Sequence, residues 1–187
     1  FSLAEIAARR RDFSAALEYL DRSLDANALN LRAVNLKAAV LRHTGRANDA
    51  LALLDVAARK TDPLDVRLMT ECWLAGGKKA GDELTATLRD HPNTGLESAA
   101  EYGNAGLWTD GIELLNLAAN ASLDKTRVSP VIYYYLGQFA EAQGDLRKAA
   151  DYRSRATQMS PEYVFPFQWE AIRVLRRAVE MNSRDAR

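Results

Sequence analysis

A small residue followed four positions later by leucine returns along this chain about every thirty residues, and few architectures can use such a pattern. Ala16 and Leu20 form the first pair, Ala50 and Leu54 the second, Ala80 and Leu84 the third, and Gly111 and Leu115 the fourth. Ala149 opens a fifth, in which Arg153 stands where leucine is expected. Successive small residues lie 34, 30, 31 and 38 positions apart. Residues four apart stack on one face of a helix. The small side chain lets a second helix approach closely, and the leucine one turn later fills the space beside it. Each such leucine contributes roughly 1.5–3 kcal/mol when fully buried. A helix pair built this way keeps an apolar face that it cannot cover alone, so repetition implies stacking of one pair on the next.

Start and stop signals divide the chain at the same period. Gly45, Gly106 and Gly144 sit at hairpin turns, where glycine takes a left-handed conformation at no steric cost. Asp62-Pro63 and Ser129-Pro130 place a capping side chain before a proline at the first helical position. These signals predict helices near 2–10, 13–26, 31–43, 47–60, 63–75, 79–90, 95–104, 108–120, 130–143, 146–159 and 167–181. The stretch "NASLDKTRVS" reads as a lengthened loop. No alternating apolar run predicts a strand.

The segment Pro130 to Pro161 carries Tyr133, Leu136-Gly137, Gly144, Ala149, Ala156 and Pro161. That spacing resembles the tetratricopeptide repeat: an aromatic and a Leu-Gly pair on helix A, a turn glycine, two small residues on helix B, and a closing proline. The resemblance implies an all-α fold, a right-handed α-solenoid of about five helical hairpins plus a C-terminal helix, with the repeats over 1–160. It implies a non-catalytic interaction scaffold that holds a protein or peptide, or a neighbouring domain of the same protein, in the groove lined by the A helices. The groove-facing positions would be Arg32, Asn35 and Arg42 in the second repeat, Asn104 in the fourth, and Tyr134 and Gln138 in the fifth. The carboxylate-clamp branch of the family is not expected, because Phe1, Glu5 and Leu36 stand where its grips would be. Three consecutive tyrosines fan through about 200° of a helix; Tyr133 is assigned to the core and Tyr134 to the groove.

The last 27 residues break the pattern. Pro161 and Pro166 bound an extended stretch that replaces a helix A, and Tyr163, Phe165, Phe167 and Trp169 are candidate docking aromatics. Tyr163 and Phe165, two apart on an extended segment, share a face. They either cover helix 146–159 or hook another domain. This tail, with "TDPLD" at Thr61 to Asp65, is similar to the repeat region of bacterial multidomain proteins that carry an N-terminal mutarotase-like β-sandwich. That second resemblance implies an accessory role beside a sugar-binding or catalytic domain. The start at Phe1 and the closing "NSRDAR" lead us to expect a piece of a longer protein.

Chemistry is sparse. Lysine plus arginine equals aspartate plus glutamate at 25 each, so no net field favours nucleic acid or an acidic membrane. Cys72 is the only cysteine and His43 and His91 the only histidines, too few for a zinc cluster; no cofactor or metal is expected. No apolar run approaches the roughly 20 residues of a membrane helix, and a cytoplasmic location is expected. Gly76-Gly77-Lys78-Lys79 lacks the hydroxyl of a phosphate loop and reads as a turn followed by solvated lysines. Asn120-Ala121-Ser122 matches a glycosylation triplet with no secretion signal behind it. No serine–histidine–acid constellation is visible, and the chain is read as not an enzyme.

Overall fold

The structure, a computed structural model, describes residues 1–162, 164, 166 and 169–183. Among these residues every regular element is helical: α1 (Ser2–Arg9), α2 (Phe13–Ala26), α3 (Leu31–His43), α4 (Ala47–Ala58), α5 (Val66–Leu74), α6 (Lys78–Asp90), α7 (Gly95–Asn104), α8 (Trp108–Ala121), α9 (Pro130–Ala142), α10 (Leu146–Thr157) and α11 (Trp169–Met181). Short 3₁₀ turns at Pro92–Thr94 and Lys125–Arg127 precede α7 and α9. Two compact units result, Phe1–Ala86 with Glu101–Leu107, and Thr87–Ala100 with Trp108–Arg187.

Five connections share one geometry, and they define five hairpins. Each joins an odd-numbered helix to the next by three residues, the middle one left-handed: Arg11 at φ 62°, Gly45 at 78°, Gly76 at 99°, Gly106 at 72° and Gly144 at 84°. A three-residue link leaves consecutive helices no arrangement but antiparallel. Arg11 is the one non-glycine among them. A side chain there costs roughly 1 kcal/mol or more, and nothing in the residue type announced that turn.

These turns correct one part of the sequence reading. The small residue packed in each B helix lies five positions after the left-handed residue, at Ala16, Ala50, Gly81, Gly111 and Ala149. In the third hairpin it is therefore Gly81 and not Ala80, which is half-buried. The cause is Trp73, whose ring carbon would lie 2.6 Å from a Cβ at Gly81. Leu84 is fully buried all the same. A second difference is the start of α5. The Asp62 carboxylate accepts from the Leu64 amide at 2.8 Å and makes a local turn, while Asp65 caps the helix by accepting from Arg67 at 2.8 Å. The helix begins at Val66, three residues later than predicted. Ser129 caps α9 as expected, accepting from Val131 at 3.2 Å.

Within the first unit, Val34, Ala38, Leu41, Ala50, Leu54 and Leu68 form one continuous core. Within the second, α9 packs against α8, α10 and α11, and most of its residues are buried. Gly111 on α8 makes room for Phe139, whose ring carbon would lie 2.6 Å from an added Cβ. Gly137 on α9 lies under the stem of Arg153 and the Ala149 carbonyl, at 3.0 and 3.2 Å from such a Cβ. Arg153 thus does what leucine does in the other hairpins, laying its apolar stem on the neighbouring helix and leaving its charged end for other work.

Candidate functional site

The inner stripe of the first unit comes from α1, α3, α5 and the last turn of α7. Its charged groups close on one another. Glu71 is fully buried. It accepts from Arg42 Nε at 3.2 Å, from Arg42 Nη2 at 3.1 Å and from the Tyr102 hydroxyl at 2.6 Å. Glu101 receives Arg67 Nε at 3.3 Å and pairs with Arg32 Nε at 3.0 Å. Arg32 also reaches Glu5 at 3.5 Å and lies 4.9 Å over the Phe1 ring, while Arg67 reaches Asp65 at 3.3 Å. A buried carboxylate is tolerated only when paired and fully hydrogen-bonded, and the three donors on Glu71 meet that demand.

Of the predicted groove residues in this unit, Arg32 and Arg42 are spent on these pairs. Asn35 is 2% exposed, and its Oδ1 has no hydrogen-bond partner among the described residues. It borders a space of about 10 Å³ shared with Phe1, Arg32 and Tyr102, room for about one water. Asn104 is half-buried at the end of α7.

The second unit differs. On α9 the half-buried residues between Tyr134 and Glu141 are Tyr134, Gln138 and Glu141, at the i, i+4, i+7 positions of one stripe, with exposed Ala142 beside them. The assignment of Tyr133 to the core holds: it is 3% exposed, with the Arg155 guanidinium 4.5 Å over its ring. Gln138, Glu141 and Ala142 meet Arg173, Arg176, Arg177 and Glu180 of α11 across a cleft of about 370 Å³. Arg177 donates to Glu141 Oε1 from Nε at 3.0 Å and Nη2 at 2.5 Å, and to Glu180 at 3.2 Å. Arg153 holds the other Glu141 oxygen. The Arg177 hydrogen bonds, joined by those of Arg153, keep the Glu141 carboxyl below the usual carboxylate range against the opposing pull of its burial. Sequence reasoning missed α11 as a wall of this cleft. The signal was present, because Arg173, Arg176, Arg177 and Glu180 follow the i, i+3, i+4, i+7 spacing of one face.

Trp169 opens α11 and is 83% exposed; Tyr163, Phe165 and Phe167, the other candidate docking aromatics, lie outside the described residues. A larger groove in the same unit, of about 890 Å³, is lined by residues 90–94 and 125–130 with Met159, Ser160, Glu162 and Val164, and hydrogen bonds that shape the fold run along its walls. Asn93 donates to the Arg127 carbonyl at 3.2 Å and accepts from the Ser129 amide at 3.0 Å. Lys125 donates to the carbonyls of Ala119 and Ser122 at 2.9 and 2.7 Å, closing the C-terminal end of α8.

The remaining candidates are inert in place. Cys72 packs against the first unit's core, and burial, followed by the Glu71 and Asp55 carboxylates, pushes its thiol up, away from the nucleophilic thiolate. Ser122 of the glycosylation triplet is 1% exposed and donates to the Asp124 carbonyl at 2.9 Å. Among the described residues no three histidine, cysteine or acidic side chains are grouped to hold a metal ion. Nor, among them, is any helix long and apolar enough to cross a membrane.

No protein-family model matches the chain, and no curated protein does. Among solved structures, MamA aligns with 83% of this chain and 87% of its own at 17% identity, with a TM-score of 0.41. The thermophilic tetratricopeptide-repeat protein TTC0263 of Thermus thermophilus aligns with 90% of this chain and 89% of its own at 18% identity, with a TM-score of 0.40.

Proposed function

We propose that the chain is a non-catalytic interaction module that holds a segment of another protein, or of a neighbouring domain, along the half-buried stripe of α9. The observation that carries this reading is the cleft of about 370 Å³ beside Gln138. Helix α9 packs against three other helices, yet it keeps Tyr134 and Gln138 half-open. The Gln138 amide offers both a donor and an acceptor to a peptide backbone, and a tyrosine ring supplies contact area at little entropic cost. Support for a non-catalytic role comes from the acids and the thiol. Glu71 is paired with Arg42 and hydrogen-bonded by Tyr102, Glu141 is paired with two arginines, and burial pushes the Cys72 thiol up. The test is selection of a random nonapeptide display library on the full chain, repeated with Tyr134→Ala/Gln138→Ala. Peptides recovered by the parent and lost by the variant, with the melting temperature unchanged, support the reading. Equal recovery by both proteins removes the stripe from consideration.

A further inference from the structure

We propose a second binding site, for a free medium-chain aliphatic carboxylate, in a pocket of the first unit that shares none of the charged residues of its inner stripe. The pocket, of about 250 Å³, lies between the C-terminal end of α2, the loop into α3, and α4. Val34 and Ala57 of the core form its floor, and Leu24, Leu31 and Leu53, packed against that core, continue its walls. At its mouth Leu29 and Val56 are 54% and 50% exposed. Local hydrogen bonds hold the mouth in shape. The Asn27 side chain accepts from the Leu29 amide at 3.1 Å, and the Thr61 hydroxyl and amide both donate to the Ala57 carbonyl, at 2.9 and 3.0 Å. A preformed pocket of this kind binds without a large ordering cost.

The lining selects the chemistry of the occupant. It offers no aromatic ring for a base or a sugar to stack on, and its one hydroxyl, on Thr61, is already donated. Both features disfavour nucleotides, sugars and peptide backbones, whose polar groups need partners once buried. The charged residues of the lining are Lys37 and Lys60, and among the described residues no acidic side chain joins them. Lys37 gives one donor to Asp21 and keeps two more. Lys60 is exposed and makes no side-chain hydrogen bond or ion pair among the described residues. A single free ammonium beside an aliphatic pocket matches a single carboxylate on an aliphatic chain. At roughly 30 Å³ for each carbon, the share of a water molecule in the liquid, the pocket holds about eight.

The test is a methyl chemical-shift titration of the full chain with butanoate, hexanoate, octanoate and decanoate, with octan-1-ol and octylammonium as controls. Octanoate should give saturable shifts at the methyl groups of Leu24, Leu29, Leu53 and Val56. Affinity should tighten roughly three- to fourfold per added methylene and level off at about eight carbons. Lys60→Glu should weaken octanoate roughly three- to tenfold and leave octan-1-ol unchanged. Ala28→Phe, which fills the mouth, should abolish binding of both, with the melting temperature of each variant unchanged. Octylammonium binding as tightly as octanoate, or octanoate unaffected by Lys60→Glu, would overturn the inference. So would shifts spread over the apolar surface without saturation. Shifts of these methyl groups that follow protein concentration and not octanoate would also overturn it, and would make a second copy of the chain the occupant.

Discussion

The inner stripes of the two units use the same residue types in opposite ways. In the first, four acids (Glu5, Asp65, Glu71 and Glu101) face three arginines (Arg32, Arg42 and Arg67). The pairs of Arg32 with Glu5 and Glu101 border a space of about 10 Å³. In the second, arginines outnumber the acids, and a cleft of about 370 Å³ remains. Charge on a repeat surface is therefore no guide to binding until its partners are counted. Arg42 looks like a ligand-gripping residue in the sequence and serves as the counter-ion of a buried carboxylate in the structure.

The largest expected effect is at the centre of the closed network. Glu71→Ala should lower the unfolding free energy by about 3–5 kcal/mol, because it leaves Arg42 and the Tyr102 hydroxyl without their partner in a buried site. Urea denaturation measures it. A loss below 1 kcal/mol would mean that the network is solvated and that the first unit is no more closed than the second.

Two tyrosines sharpen the contrast at smaller scale. Tyr102 spends its hydroxyl on Glu71 at 2.6 Å, whereas Tyr135 is 1% exposed and its hydroxyl has no partner among the described residues. Tyr102→Phe should cost about 1.5–3 kcal/mol, the usual worth of a hydrogen bond to a charged group. Tyr135→Phe should leave stability unchanged or raise it by about 1 kcal/mol, since it removes a buried hydroxyl that bonds nothing. Equal losses in both would break the distinction.

The smallest effect is a pH dependence. Glu141 is held below the ordinary carboxylate value of 4.5. Its contribution is present in full above that value and disappears as pH falls through the depressed native one. The melting temperature of Glu141→Gln should therefore lie below that of the parent near pH 7, and the gap should narrow below about pH 4. A gap that widens on acidification would show that the two arginines do not stabilise the carboxylate.

Much of the helical layout was legible because it depends on local signals. Turn glycines, capping side chains and small-to-leucine spacing act within one or two helical turns, and most predicted helix ends fall within two residues of those observed. The exceptions have local causes too. Asp65 outcompetes Asp62 as the cap of α5, and Trp73 makes Gly81 rather than Ala80 the close contact. The site was harder to read because its partners lie about one repeat apart. Arg42 and Glu71 are 29 residues apart, Glu71 and Tyr102 are 31, Arg67 and Glu101 are 34, and Arg177 and Glu141 are 36. Inspection of a single helix finds a charged side chain, and only a search one period away finds what neutralises it. Tyr134 and Gln138 were named from the family resemblance, and both lie half-buried on one stripe of α9. The arginines that face Gln138 come from a helix that the repeat pattern treats as irregular.

The central claim is that the charged side chains of the first unit's stripe are engaged with one another, whereas the half-buried stripe of α9 is the surface that meets a ligand. The most direct test is a backbone amide chemical-shift titration of the full chain with a nonapeptide recovered from the display library. The account predicts saturable shifts at Tyr134, Gln138 and Glu141, with the amides of Arg32, Arg42 and Glu71 unmoved. Shifts centred on Arg32 and Arg42, or no saturable shift at either stripe, would contradict it.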